Sequence, residues 1–128
     1  MAYMGKHRRM ADEVSAAITF FEHLMTFEAP TSIEALSKAR VTLVQAVNAY
    51  IAYLGMRVSS NQSDARLAPW KEAHGRALEL RRSYSEHIAR FAGSAMVANW
   101  PAYRSSCLRL IRGMREHLEE VTAWKQLD

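Results

Sequence analysis

The chain has 128 residues, 49% of them apolar, with only five glycines, three prolines and one cysteine. That suits one domain with its own core and excludes a collagen-like, low-complexity or disulfide-stapled chain. The net charge of +4 allows contact with an anionic surface without demanding it; no run of about 18 apolar residues could span a bilayer, so no membrane association is expected.

The first stretch, residues 1–8, is basic and expected to be a flexible N-terminal segment without a secretory apolar region, which with the lone cysteine points to a cytoplasmic protein. A first helix is predicted from about Met10 to Phe27. Met10, Val14, Ala17, Ile18, Phe21, Leu24 and Met25 fall on one stripe, widened by Phe20 and Phe27. Pro30 breaks it. Thr31-Ser-Ile-Glu34 then reads as a capping box opening a second helix. That helix carries Ile33, Leu36, Leu43, Val44, Val47, Tyr50, Ile51, Leu54 and Val58, and the polar run Ser59–Asp64 closes it as a loop.

A third helix is predicted from Pro69 to about Ala92, with Gly93 as its stop and Trp70, Ala77, Leu78, Tyr84, Ile88 and Phe91 as its stripe. Asn99 is placed to cap a fourth, with Pro101 in the first turn. Trp100, Tyr103, Cys107, Leu110, Ile111, Met114, Leu118 and Val121 cover one of its faces. No segment alternates with period two. The expected fold is all-α: an up-down-up-down antiparallel four-helix bundle forming a single domain over residues 1–128.

At 100° per residue, a few polar side chains fall on or beside the apolar arcs. Glu13, Tyr50, His74, Arg81, His117 and Glu120 make a candidate polar pocket, with Arg81 about 10 Å deeper than His74. Arg40 belongs to the opposite end. The ordinary reading is a hydrogen-bonded core histidine and an Arg81 ion pair to Glu13 or Glu22. The functional reading is a small pocket for iron or zinc, with neutral His74 and ionised Glu13 as ligands. Cys107 sits mid-arc as a packed thiol. Arg104, Arg109, Arg112 and Arg115 share a basic surface opposite the core of the fourth helix. That face suits solvent, an acidic partner or phosphates; without interleaved aromatic residues, nucleic acid is not the expected partner.

Three stretches carry a family likeness: Trp70-Lys-Glu-Ala-His74-Gly-Arg-Ala-Leu78, Asn99-Trp-Pro-Ala-Tyr103 and Leu108-Arg-Leu-Ile-Arg-Gly-Met-Arg-Glu-His117-Leu-Glu-Glu120. In these and in layout the chain resembles the hemerythrin-like (HHE cation-binding) bundles. The resemblance implies a four-helix bundle and, for typical members, a pair of irons held by histidines and carboxylates. Their His-x-x-x-Glu pattern is absent: Ala11, Phe27, Leu78, Phe91 and Val121 stand four residues after the five histidines. Tyr50 and Leu54 stand where it belongs on the second helix, and His74 alone remains as a first ligand. The resemblance therefore implies a bundle without its di-iron ligands.

The expected function is non-enzymatic, through contact with a protein or sensing of a small ligand. The alternatives are a metal- or haem-binding sensor or oxygen-handling protein built on His74, and an anion or nucleic-acid binder built on the four arginines. Trp124 or Tyr53 would mark the surface of a homodimer.

Overall fold

The computed structural model describes residues 5–60 and 67–123, and it is all-helical, with no strand among them. Helix α1 (Lys6–Leu24) begins four residues before the predicted start. His7 and Ala11 carry the stripe of Val14, Ile18 and Phe21 back by two turns, and both are buried. Lys6 and Arg8 thus belong to a helix rather than to the basic N-terminal segment. Helix α2 (Ile33–Ser60) opens with the Ala35 N–H donating to Ser32 Oγ at 3.0 Å, so the capping hydroxyl is one residue beyond Thr31.

Helix α3 (Leu67–Arg90) ends just before Gly93, whose φ of 55° is the left-handed conformation that suits glycine, as its predicted role as a stop requires. One turn, α4 (Ala95–Ala98), buries Met96. Helix α5 (Trp100–Thr122) starts where expected: the Ala102 N–H donates to Asn99 Oδ1 at 3.4 Å, and Pro101 lies in the first turn. Most of the predicted Ser59–Asp64 loop, and Trp124, lie outside the described residues.

The four long helices pack in a ring: α1 on α2, α2 on α3, α3 on α5, and α5 back on α1, while α4 rests on α5 and α2. His7, at the start of α1, meets Tyr50, late in α2, so these neighbours run in opposite directions. At the other end the Trp100 indole N–H donates to the Phe27 carbonyl at 3.2 Å, and the Arg104 guanidinium donates to the Met25 carbonyl. The core between them is continuous, from Ile18 and Phe21 through Leu36, Leu43 and Leu54 to Tyr103, Ile111 and Val121. Among the described residues no helix is long and apolar enough to cross a membrane.

Candidate functional site

Of the six residues predicted to share a pocket, the structure brings two together, Tyr50 and His117, and joins them to a third that the pattern did not indicate, His7. All three are buried. The Tyr50 hydroxyl lies 3.1 Å from His7 Nε2 and 3.0 Å from His117 Nε2. A phenol has one proton, so it donates to one imidazole and accepts from the other. His117 Nδ1 is buried without a hydrogen-bond partner.

Burial holds His117 and Tyr50 neutral. It pushes the His117 pKa down to about 4, with the nearby Arg76 and His7 adding to the effect and Glu120 opposing it. It also raises that of Tyr50. The void beside Tyr50 and His117 is about 20 Å³, room for one water molecule at most. Neither a haem nor a small ligand fits there.

The other four residues lie elsewhere. Glu13 is exposed on the flank of α1. Counting Phe20 in the apolar stripe swung the predicted arc toward Glu13, yet Phe20 is 53% exposed. Arg81 is also exposed, so the expected inward ion pair with Glu13 or Glu22 does not form; Glu22 pairs with Arg115 instead, at 3.0 Å. Half-buried Leu78 and Ile88 had turned the predicted arc of α3 by roughly 50°, whereas its core side runs through Ala73, Ala77, Tyr84 and His87. His74, on α3, is half-buried against α2, close enough that a Cβ at Gly55 would lie 3.2 Å from its Nε2. Glu120 is exposed and pairs with Arg76 at 2.6 Å. Glu13 and His74 thus do not form the expected pair of iron or zinc ligands. Among the described residues no three His, Cys, Asp or Glu side chains converge as ligands would. The described residues do not fit a di-iron centre.

A second buried network, also missed by the pattern, lies deeper. His87 Nδ1 is hydrogen-bonded to Ser106 Oγ at 2.7 Å, and its Nε2 to Cys107 Sγ at 3.5 Å. Cysteine beside histidine invites a nucleophilic reading, but the electrostatics oppose it. Burial, aided by Arg40 and Arg90, pushes His87 down to about 4, and burial pushes the Cys107 thiol up to about 12. A neutral thiol facing a neutral imidazole, beside a void of about 10 Å³, does no substrate chemistry. Arg40, buried as predicted, instead donates to the Phe91 carbonyl at 2.7 Å and the Ile88 carbonyl at 3.4 Å, closing the C-terminus of α3. Its own carbonyl accepts the Tyr84 hydroxyl at 3.3 Å.

The predicted basic surface divides. Arg104 and Arg115 reach across to α1, the latter through Thr19 and Glu22. Arg109 and Arg112 are exposed. Two free cations on one helix are a solvated face rather than a phosphate cradle.

The larger anomaly is apolar. Among the described residues, the large hydrophobic side chains left exposed are Phe20, Phe27, Ile33, Val41 and Met56. All belong to α1, α2 or their connection. Phe20 stands in a groove of about 730 Å³ between α1 and α2, with Glu13, Ala16, Lys38, Thr42 and Ala46. Around the side of α2, Val41 and Val44 line a second groove of about 400 Å³ with Ile88 and Met96. Sequence alone could have flagged this: α2 has apolar residues nearly all round, unlike the one-sided α5.

No known family, curated protein or solved structure matches the chain.

Proposed function

We propose that this chain is a non-enzymatic interaction module. In this reading it is an up-down-up-down four-helix bundle of hemerythrin-like layout that works without metal, and its working surface is the outer face of α1 and α2. The observation that carries the reading is the exposure of Phe20, more than half in solvent in a groove floored by small side chains, with Val41, equally exposed, in the second groove around the side of α2. Apolar exposure of this kind marks contact surfaces in proteins that otherwise hide such groups. The interior supports the same reading from the other side: the enclosed voids beside Cys107 and beside Tyr50 are about 10 and 20 Å³, room for a water at most. The occupant best suited to a groove between two helices is a third helix presenting apolar side chains.

Site-directed photo-cross-linking in native cells tests the surface. A benzophenone side chain at Val41 or Ala49 is expected to give a discrete protein adduct that disappears when Phe20→Glu is added. The same group at Arg82 or Arg109, on the α3 and α5 side, is expected to give none. Adducts confined to the α3 and α5 positions would remove the proposal.

A further inference from the structure

The second groove, around the side of α2, has a cation in its wall. Val41, Val44, Ile88 and Met96 make its sides apolar, Ser37 and Gln45 add two polar groups, and Ala92 and Gly93 keep one end low. A Cβ at Gly93 would meet nothing within 4 Å, so that end is open. Arg40 lines the same groove and is only 8% exposed.

The surroundings of Arg40 hold its guanidinium in place and leave most of its charge unanswered. A guanidinium has five N–H donors, and the Phe91 and Ile88 carbonyls take two of them. Those carbonyls end α3, where the helix dipole supplies about half a negative charge. No Asp or Glu among the described residues pairs with Arg40; their ion pairs belong to Arg76, Arg82 and Arg115. A buried arginine ordinarily has an anionic partner, because a charge taken out of water alone is costly.

We infer that this groove binds a medium-chain fatty acid, with its carboxylate on the Arg40 guanidinium and its alkyl chain along Val41, Val44, Ile88 and Met96. Small-molecule sites are mostly apolar clefts of about 300–1,000 Å³ with a few placed polar groups. This groove, at about 400 Å³, has that form. A carboxylate brings the matching charge and two acceptor oxygens for the donors that the carbonyls leave. An alkyl chain suits the walls: the described lining residues include no aromatic ring to stack on and little to satisfy the amides of a bound peptide. The chain would also cover Val41, which is 54% exposed. The groove between α1 and α2 offers no such anchor, since its charged residues, Glu13 and Lys38, are not buried. The site lies around α2 from Phe20 and does not rest on the protein partner proposed there.

Nuclear magnetic resonance titration of the full chain with decanoate, decanol and acetate, each below its aggregation threshold, tests this. Decanoate is expected to shift the amides of Val44, Gly93 and Met96 to saturation. Decanol keeps the chain and loses the charge, and should bind at least about tenfold more weakly. Acetate keeps the charge and loses the chain, and should be weaker still. Val41→Asp puts a carboxylate into the groove beside Arg40 at an exposed position. It should weaken decanoate at least about tenfold with an unchanged helical circular-dichroism spectrum, whereas Val41→Asn, of the same size without the charge, should cost about threefold or less. In Arg40→Met, decanoate and decanol should bind alike; if that variant fails to fold, the two Val41 variants decide. No binding of decanoate, decanoate no tighter than decanol, equal losses in Val41→Asp and Val41→Asn, or shifts gathered around Phe20 and Ala46 instead would each overturn the inference.

Discussion

The two sides of this molecule solve the same packing problem and finish their outer faces differently. The α3 and α5 side turns charge outward and ties it in pairs: Arg76 to Glu72 and Glu120, and Arg82 to Glu79. The α1 and α2 side turns Phe20, Ile33, Val41 and Met56 outward. Both bury a full apolar stripe, so core formation does not explain the difference. Surface apolar groups add nothing to folding when they stay in water, and this side keeps several of them. The contrast teaches that the outer chemistry of α1 and α2 answers to something other than the stability of the single chain.

Breaking the buried polar ties between the helices should have the largest effect. His87 and His117 both titrate near 4 in the fold, against an ordinary value of about 6.5. The unfolded chain therefore binds more protons between those limits. Stability from this source is complete above pH 6.5 and falls as the pH drops toward 4. The expected loss is on the order of several kcal/mol, read as urea midpoints across that range. A flat profile would show that these imidazoles are not held neutral. Next comes Tyr50→Phe, which leaves two buried imidazole nitrogens without their shared partner. About 3 kcal/mol should be lost, lowering Tm by roughly 10 °C. Arg40→Ala removes the cation at the end of α3 and should cost about 2 kcal/mol in the same measurement.

The outer faces should give the smallest stability effects, and there the two sides part. Phe20→Ser should change monomer stability by less than about 0.5 kcal/mol while abolishing association. Arg76→Ala breaks exposed ion pairs, should cost under about 1 kcal/mol, and should leave association untouched. If Phe20→Ser destabilises the monomer as much as Tyr50→Phe does, its ring belongs to the core and the contrast disappears.

How much of this could be read from the sequence depended on how cleanly each helix separates its faces. The stripe of α5 runs from Trp100 to Val121 without interruption by charge, and its cap, first turn and buried face lie where the pattern puts them. In α1 and α3 a few apolar residues on the flank, Phe20 in one and Leu78 in the other, rotated the arc. That rotation drew in Glu13 and Arg81, which face water. Tyr50 and His117 were found because their helices were phased correctly. His7 was missed for its neighbours: Lys6, Arg8 and Arg9 made it look like part of a charged tail. Its spacing to Ala11, Val14 and Ile18 is the helical signal that could have found it. His87 was passed over as a polar residue, although it shares the buried side of α3 with Tyr84 and Phe91.

The shared phenol of Tyr50 has a topological consequence. By holding His7 and His117 on one oxygen, it brings the beginning of the first helix and the last turns of the final helix to the same place. The path of the chain is thus almost a closed circuit. A circular permutant that links the end of α5 to the start of α1 should keep the fold, with its new ends opened elsewhere in the ring.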